Sequence, residues 1–405
     1  MKYSFLLLLT VPHLLHSQTV RIDPEFNRQT VDIPGYKLVF DDEFNTLDRS
    51  VWDLSGPGND GPSYDAADFL SKSNQVTINP SNVSEPLGSI LKIQARKGED
   101  RNMTPFSAGE IKTFNNHSWS NHPPNFRNWT MTPGQYLEAR IKIPYCPGIN
   151  SALWLYGITG AQDDPDRRFF EVDLIESFSE IPSHFWTNIH YGKAYADKSH
   201  RSKGREIKVK SLKNKKVVLK DIWLTFGLEY NETDIRMYLN GALYNTYKLY
   251  PNSTKKKYRY LKALPAFIRL GVGKASVEST QAEACQDYPV FLDIDYVRLY
   301  TKENLPSIYF LNNYENIWLS ATKGRENSGF NMQVNYIPGV KYRVIDEKNQ
   351  LDITHNENYI TACQCAQWWI SPKENSPTGP AWIKVMAEFP GGNAINLGTT
   401  IQIIP

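Results

Sequence analysis

Hydrophobic and polar residues alternate over many short segments of this chain. From residue 137 to 143 the apolar residues take every second position, and Glu138, Arg140 and Lys142 lie between them. This period of two predicts a strand with one buried side and one side facing solvent. Residues 267–272 and 290–300 show similar patterns, and turns rich in Asn, Gly, Pro and Ser separate such segments. With no long amphipathic helix in the pattern, the chain is predicted to be all-β, with two antiparallel sheets packed as a sandwich.

One predicted strand carries three carboxylic acids among apolar residues. Residues 171–176 read Glu-Val-Asp-Leu-Ile-Glu. Strict alternation places Glu171 and Asp173 on one face and sends Glu176 into the core, where an unpaired carboxylate is costly. One extra residue, a β-bulge around Leu174 or Ile175, returns Glu176 to the face of the other two. We therefore predict a bulged strand with all three acids along one open groove.

Such a row of carboxyl groups suits glycoside hydrolysis. Retaining glycosidases use two carboxyl groups roughly 5–5.5 Å apart, one as nucleophile and one as general acid and then base. Adjacent carboxylates push one another's pKa values apart, which keeps one group protonated while another is ionised. A solvent-facing acidic strand, or a row of acids that binds a cation, is the alternative interpretation of these residues.

The surrounding sequence resembles the family 16 glycoside hydrolases, in the branch whose catalytic strand reads E-x-D-x-x-E. The similarity runs from about Val39 to Tyr300. The matching segments are, in chain order, VFDDEF from residue 39, GQYLEARIK from residue 134, ALWL from residue 152, IRMYLNG from residue 235 and DYVRLY from residue 295. The resemblance implies a concanavalin-like β-jelly roll, with Glu171 as nucleophile, Asp173 as assisting carboxylate and Glu176 as acid/base.

Other residues are candidates for binding the substrate. By the resemblance, Trp154 takes the place of a substrate-stacking tryptophan, with a core role as the alternative. Alternation puts Trp186, Asn188 and His190 on one face of the next strand, so all three are expected either in the groove or outside it. A structural role for His190 stays open. Arg168 is a candidate for binding an anionic group of the glycan, and pairing with neighbouring aspartates is its alternative role.

A metal site is also suggested by the resemblance. Some relatives bind calcium on the convex face, and Glu43 and Asp295 occupy comparable places here. The sequence does not show the carbonyl ligands that such a site needs. We expect no cofactor in catalysis and leave a structural calcium ion at these two residues open.

Charge bears on the choice of substrate. The net charge is only +2, yet eleven Lys or Arg residues lie between residues 193 and 220, and a second basic run covers residues 255–262. These basic residues either keep strand edges soluble or attract a polyanionic glycan. The S-A-x-W segment at residues 151–154 is more similar to the agarase and carrageenase branches than to laminarinases.

We therefore expect an endo-acting, retaining hydrolase of a β-linked polysaccharide, with marine galactans such as agar, porphyran or carrageenan favoured. An endo-β-1,3-glucanase of the laminarinase or lichenase type is the alternative substrate class. A lectin-like protein that binds glycan without cleaving it, and a structural surface protein, are the alternatives from other functional classes. The expected partner is the polysaccharide, nucleic acid is not expected, and the chain is expected to act as a monomer.

The first residues indicate export. Residues 1–17 combine Lys2, an apolar run and a small residue before the predicted cleavage point, as in a secretory signal. No apolar stretch is long enough to span a bilayer. Secretion or association with the cell surface or periplasm is expected, and in such a compartment Cys146 and Cys285 could form a disulfide.

Two domains are predicted after the signal. Residues 20–302 form the family 16-like jelly roll, and residues 305–405 form a small Ig-like β-sandwich after a linker. The second domain has no catalytic motif. It either binds carbohydrate or has a structural role, with its tryptophans on a stacking platform or in its core; these are Trp318, Trp368, Trp369 and Trp382.

Overall fold

The computed structural model of the chain describes residues 17–26, 33–48, 51–53, 68–69, 76–80, 89–97, 106–113, 131, 133–159, 168–177, 182–195, 197–220, 222–264, 266–274, 285, 287–302, 308–311, 317–320, 330–335, 341–346, 349–356, 365–388, 394–396 and 399–404. Nearly all of the predicted signal and most of the predicted linker lie outside these residues. In the described part, no helix has the length and hydropathy needed to cross a membrane.

The described residues up to 302 are strands, apart from turns, bends and one 3₁₀ turn at Lys256–Tyr258. The strands are β1 (Gln18–Ile22), β2 (Tyr36–Asp42), β3 (Asp68–Phe69), β4 (Val76–Pro80), β5 (Ser89–Lys97), β6 (Phe106–Lys112), β7 (Gln135–Lys142), β8 (Ile149–Thr159), β9 (Arg168–Ser177), β10 (His184–Gly192), β11 (Arg201–Ser202), β12 (Arg205–Ser211), β13 (Trp223–Tyr230), β14 (Asp234–Leu239), β15 (Ala242–Lys248), β16 (Phe267–Lys274) and β17 (Val290–Lys302). The predicted all-β class is confirmed.

These strands form two sheets that pack face to face. The first, which we call the site sheet, has the order β1-β12-β10-β9-β8-β16-β6. The second, the back sheet, has the order β15-β14-β13-β7-β17, with β2 and β5 side by side along the far edge of β17 and β4 outside β5. Pairing between β5 and β6 joins the sheets at one edge. Pairing between the described strands up to β17 is antiparallel, except that β1 is parallel to β12 and the two-residue strand β3 is parallel to β6.

The hydrophobic core fills the space between the two sheets. Phe185 of the site sheet contacts Phe226 and Tyr244 of the back sheet in edge-on ring geometry, at centroid distances of 5.7 and 5.3 Å. Phe170 stacks on Tyr230 in the same layer. Each such ring removes a large apolar area from water, which stabilises the sandwich by about 1.5–3 kcal/mol per side chain. The site sheet is therefore held as a rigid platform for the residues on its outer face.

The prediction that β7 has a solvent-facing side is wrong. Glu138 is fully buried and Arg140 is 9% exposed. Glu138 accepts hydrogen bonds from the phenols of Tyr136 and Tyr296 at 3.2 and 3.1 Å, and Arg140 donates to Asp295 at 2.6 Å. Alternation revealed the period of the strand, but only tertiary contacts decide whether its polar side is covered.

A disulfide joins Cys146 to Cys285, with 5.6 Å between the two Cα atoms. The bridge predicted within the first domain is confirmed. It closes a loop of 139 residues, and cross-links across long loops stabilise chiefly by restricting the unfolded chain.

After residue 302 the chain forms two smaller sheets. Their strands are β18 (Ile308–Leu311), β19 (Ile317–Ser320), β20 (Phe330–Asn335), β21 (Lys341–Asp346), β22 (Leu351–Asn356), β23 (Cys365–Pro372), β24 (Gly379–Glu388), β25 (Ala394–Asn396) and β26 (Thr399–Ile404). One sheet has the order β18-β20-β23-β22, and the other β19-β26-β24-β21 with β25 beside β24. Trp368 is buried at 4% exposure next to Tyr342, so it is a core residue rather than an open platform. The side chains of the other three tryptophans lie outside the described residues, and the Ig-like topology stays a prediction.

Candidate active site

Strand β9 carries a β-bulge at Leu174. On the β8 side, Asp173 pairs with Trp154 and Ile175 pairs with Leu153, so Leu174 is an extra residue. The register against β10 shifts at the same place, because Asp173 pairs with Asn188 and Glu176 pairs with Trp186. The bulge predicted from the spacing of the acids is confirmed at the first of its two candidate positions.

The bulge is held from the core side by two buried hydroxyl groups. Thr187 donates a hydrogen bond to the carbonyl oxygen of Asp173 at 2.7 Å, and the phenol of Tyr244 donates to that of Leu174 at 2.6 Å. A bulge interrupts the ladder of backbone hydrogen bonds, and buried carbonyl groups left without partners are destabilising. These side chains therefore fix the irregular backbone in place.

As a result, Glu171, Asp173 and Glu176 lie together on the outer face of the site sheet. The residues between them, Val172, Leu174 and Ile175, are fully buried beneath. Asp173 is 4% exposed, and the two glutamates are partly buried. The sequence prediction that the three acids share one face is confirmed.

Burial raises the pKa values of all three carboxyl groups. The pKa of Glu171 rises to about 8, through burial and then the charge of Glu176, while Arg269 opposes the shift. Burial raises the pKa of Glu176 to about 7. The pKa of Asp173 is raised well above its usual value by burial and by both glutamates. Protons are therefore retained in this group at a pH at which ordinary carboxyl groups are ionised.

A hydrogen-bonded chain fixes the tautomer of His190. The side-chain oxygen of Asn188 accepts the backbone N–H of Ile189 at 2.9 Å, so the amide nitrogen of Asn188 donates to Nε2 of His190 at 2.7 Å. His190 then carries its proton on Nδ1 and donates it to Nε2 of His200 at 2.9 Å. Burial, followed by the charge of His200, lowers the pKa of His190 to about 3, so the imidazole is neutral.

His190 presents no N–H group to the acids, because Nε2, the ring nitrogen nearest to them, is unprotonated and accepts the hydrogen bond from Asn188. This nitrogen lies 3.6 Å from Oδ2 of Asp173 and 3.9 Å from Oε1 of Glu171. Oδ2 of Asp173 is buried and has no hydrogen-bond partner among the described residues. Burial without a hydrogen-bond donor, beside two other acids, favours the protonated form of Asp173. Asp173 is thus held in its protonated form. Arg269 favours ionisation of Glu171, but burial still leaves the pKa of Glu171, about 8, above that of Glu176, about 7.

Trp154 lies opposite Asp173 but does not offer an open ring. It is 6% exposed, and the guanidinium of Arg269 lies over its ring at 3.9 Å. Arg269 is itself held by two hydrogen bonds to Glu110, at 2.5 and 2.8 Å. Trp154 therefore supports the arginine that acts on Glu171, in place of the sugar-stacking role expected for it. Sequence reasoning missed Arg269 and Glu110, although an arginine within the apolar alternation of residues 267–272 was an available indication.

Small residues lie beside Glu176 on the same face. Ala152 pairs with Glu176, and Gly271 pairs with Ala152 on the next strand. A Cβ atom at Gly271 would come within 3.1 Å of the carbonyl oxygen of Gly109. A side chain at position 271 would press on that carbonyl group, and the two small residues leave room beside Glu176.

All three candidates on β10 face the acids. Trp186 and Asn188 pair directly with Glu176 and Asp173, and His190 pairs with Glu171. Directly opposed residues of an antiparallel pair share a face. The alternation argument, which put these three side chains together, is confirmed, and they lie on the acidic side.

Arg168 is not brought to this group. It shares the inward parity of Phe170 and Val172, which are fully buried in the core. Burial raises the pKa of the core phenol Tyr230, and the charge of Arg168 opposes that shift. Arg168 is the first residue of β9 and lies close to the acids along the chain. The alternation of the strand, however, points its side chain away from them.

Glu43 and Asp295, the two residues named for a calcium ion, each contact an arginine, and the ion itself stays a prediction. Glu43 accepts hydrogen bonds from Arg298, one of them from Nε at 2.9 Å, and Asp295 accepts from Arg140 at 2.6 Å. Each carboxylate is therefore neutralised by an arginine. Among the described residues, donor atoms of Glu171, Asp173 and His190 converge within 4.8 Å of one another. Two carboxyl groups and one imidazole do not make the oxygen-rich shell that calcium needs.

No protein-family model matches the sequence, and no curated protein is significantly similar to it. Similar solved structures include the laminarinase catalytic domain from Thermotoga maritima MSB8, with a TM-score of 0.49 and 19% identity over 66% of this chain and 99% of that one. A family 16 enzyme of a Bacteroides ovatus mixed-linkage glucan locus has a TM-score of 0.45 and 18% identity, over 65% of this chain and 100% of that one.

A structure described with endo-acting O-glycanases of the human gut microbiota that initiate mucin breakdown gives a TM-score of 0.48 and 20% identity, over 67% of this chain and 93% of that one. Each of the three TM-scores is below 0.5, and each identity is below 25%. The functional assignment of this chain therefore rests on its own residues.

Proposed function

We propose that this chain is a retaining, endo-acting glycoside hydrolase of family 16 that cleaves a β-linked polysaccharide. One observation carries the proposal: the bulge at Leu174 places Glu176 on the same face as Glu171 and Asp173. A strand without the bulge would bury the third acid and leave no acid/base. A pKa of about 7 lets Glu176 hold a proton near neutral pH, as an acid/base must, whereas Glu171, with a pKa of about 8, has to lose its proton before it can act as the nucleophile.

The residues divide the reaction as follows. Glu171 attacks the anomeric carbon while Glu176 donates its proton to the departing glycosidic oxygen, which gives a glycosyl ester on Glu171. Glu176 then removes a proton from water, and the resulting attack on the anomeric carbon releases Glu171. Asp173 retains its proton between them, so that only one negative charge has to be accommodated. No cofactor takes part.

The proposed substrate is an anionic galactan, such as porphyran or carrageenan. Basic side chains continue the outer face of the site sheet beyond β10. His184 pairs with Lys208, and Lys210 pairs with Arg21 of β1. Lys208, Lys210 and Arg21 thus form a basic strip, two to three strands from the acids, that fits a sulfate or carboxylate substituent of the glycan.

We also propose that the protein is exported. The disulfide between Cys146 and Cys285 supports an oxidising compartment, since such bonds are rare where thiols are kept reduced. The predicted signal at residues 1–17 is consistent with export.

A reducing-sugar screen tests the function. The full chain is assayed on agarose, porphyran, carrageenans, laminarin and lichenan, together with the variants Glu171→Gln and Glu176→Gln. Each variant is expected to lose at least about a thousandfold in turnover, because each removes one of the two reacting groups. Glu206→Gln is the matched control, since Glu206 pairs with Trp186 on the same face and takes no part in the chemistry.

The outcomes separate the alternatives. Cleavage by the Glu171→Gln enzyme, free of contaminating activity, would disprove the assignment of the nucleophile. Binding of a polymer without any release of reducing ends would support the lectin-like alternative. Cleavage of laminarin alone would leave the mechanism in place and replace the anionic galactan by a neutral β-1,3-glucan.

A further inference from the structure

An exposed tyrosine lies beside the acidic group, on the loop that follows β10. Tyr195 is 56% exposed, while its ring stacks on His200 at a centroid distance of 4.5 Å and an interplanar angle of 29°. The ring of His190 lies 5.3 Å away at 28°. Tyr195 therefore joins directly onto the histidine pair that contacts Asp173 and Glu171.

The ring of Tyr195 is held in a defined orientation. Besides the two histidines, Phe169 contacts it edge-on at 5.6 Å. The loop behind it is closed by its own hydrogen bonds: the N–H of Lys193 donates to the hydroxyl of Ser199 at 2.9 Å, and the N–H of His200 donates to the carbonyl oxygen of Asp197, also at 2.9 Å. A ring fixed in this way loses little conformational entropy when a ligand stacks on it.

Its exposure calls for an explanation. Four large hydrophobic side chains are exposed among the described residues, and Tyr195 is the aromatic one; the other three are Leu212, Val218 and Leu243. Leu212 and Val218 belong to the segment after β12, and Leu243 belongs to β15 of the back sheet. Tyr195 alone of these four adjoins the catalytic candidates, through His190. An aromatic ring with one supported side and a large exposed area suits the apolar C–H face of a sugar ring.

We propose that Tyr195 is the platform of a sugar-binding subsite, on which a pyranose unit of the polysaccharide stacks next to the unit that reacts at Glu171. The subsite rests on the proposed hydrolase function and extends it. His200 supports the platform from behind and also accepts the hydrogen bond from Nδ1–H of His190, so the platform is joined to the residue that contacts the acids. The open ring that was expected at Trp154 is therefore supplied by Tyr195.

The competing explanation is that Tyr195 only shields the histidine pair from water. The two roles predict different kinetics. A platform contributes binding free energy from a sugar that does not react, so its loss raises KM for long substrates and leaves short ones unaffected. A shield alters the environment of His190, so its loss changes kcat and the pH profile for substrates of every length.

The test measures the binding of oligosaccharides to the inactive Glu171→Gln chain by calorimetry. The probes are a length series of oligosaccharides from whichever polymer in the screen the wild-type chain cleaves. Adding Tyr195→Ala is expected to weaken binding of the longer probes roughly 3- to 10-fold, the range of one aromatic contact. Tyr195→Phe keeps the ring and should restore most of the affinity. Leu243→Ala is the matched control, an exposed apolar residue on the other sheet.

Kinetics on the otherwise wild-type chain complete the test. Tyr195→Ala should raise KM for the polymer by a similar factor and leave kcat within about twofold. Unchanged affinity for every probe, or a loss that does not depend on probe length, would overturn the subsite while leaving the hydrolase assignment intact. Failure of the wild-type chain to cleave any polymer in the screen would instead overturn the proposed function, and the subsite with it.

Discussion

At the scale of single residues, the acidic group combines three carboxyl groups with a neutral histidine. Its ionisation is governed by burial, which raises the pKa of each acid, and by Arg269, which acts on Glu171. His190 cannot neutralise the acids, because its pKa is lowered and its Nε2 accepts the Asn188 hydrogen bond. Such a group favours catalysis over stability, since the fold must retain acids that water would solvate better.

The cost of this burial is measurable as a pH dependence of stability. The pKa of Glu176 is about 7 in the folded chain, against about 4.5 when unfolded. Between these values the folded state retains a proton that the unfolded state has released, so its stability falls as pH rises from about 4 to 7. Glu176→Gln removes this penalty. We expect the variant to be more stable than wild type by about 1–3 kcal/mol at pH 7 and nearly equal to it at pH 4.

Urea unfolding at a series of pH values checks this prediction. Glu206→Gln, which also removes a carboxyl group from the outer face, is the control and should not show the same pH-dependent gain. A Glu176→Gln chain that is less stable than wild type at pH 7 would mean that the carboxylate is stabilised in the fold by contacts other than those seen here.

At the scale of elements, the bulge in β9 is the feature that makes the site. Its position followed from the sequence, because a regular strand would have buried Glu176 among Val172, Leu174 and Ile175. The side chains that stabilise it did not follow from the sequence. Tyr244 lies 70 residues away from Leu174 along the chain, and nothing in its local pattern indicates that its hydroxyl reaches a carbonyl group of another sheet.

Tyr244→Phe tests the support of the bulge. The substitution keeps the ring in the core and removes the hydrogen bond to the carbonyl oxygen of Leu174, which then remains buried without that partner. We expect a loss of about 1–3 kcal/mol in the free energy of unfolding. A fall in kcat is also expected, because Glu176 follows directly after the loosened segment. Denaturant unfolding and kcat are measured on the same preparation.

Tyr230→Phe provides the control, since Tyr230 is also fully buried and donates to a backbone carbonyl oxygen, that of Leu264, away from the bulge. If both variants lose equal stability and neither changes kcat, the hydrogen bond from Tyr244 does not position the acid.

Other elements show where sequence reasoning stops. Alternation placed Trp186, Asn188 and His190 on one face, and this is correct because parity is a local property of a strand. It failed for Glu138, because covering the polar side of β7 depends in part on Tyr296 of β17, a residue distant along the chain. It also failed for Trp154, whose position beside Asp173 was correct but whose ring is covered by Arg269. Position along a strand was predictable, whereas exposure of a side chain was not.

At the scale of the molecule, the site sheet presents charges of opposite sign on one face. The acids lie on β9, and Lys208, Lys210 and Arg21 lie toward the edge formed by β12 and β1. A sulfated polymer is repelled near the acids and attracted at the strip, so it would lie with its substituents toward β1. A neutral glucan has no such preference. Electrostatic attraction should therefore distinguish a sulfated polymer from a neutral one, and the effect of salt on KM can test this.

The double variant Lys208→Gln and Lys210→Gln tests the role of the strip in binding. On a carrageenan that the wild-type chain cleaves, we expect KM to rise roughly 3- to 10-fold, since each partly exposed charge contributes up to about 1 kcal/mol. KM on neutral agarose should not change. Adding salt should raise KM of the wild type on the sulfated polymer and affect the double variant less, because the Debye length is only about 10 Å at 0.1 M.

Lys213→Gln combined with Lys215→Gln is the matched control, since these lysines belong to the same basic run but lie on the exposed turn that follows β12. An equal loss in this control would mean that general positive charge, and not the strip beside the acids, attracts the polymer. A wild-type KM on the sulfated polymer that is insensitive to salt would remove the electrostatic argument for an anionic substrate. The carboxyl chemistry of β9 would then have to be tested on neutral glucans, where the basic residues serve only to keep the sheet edge soluble.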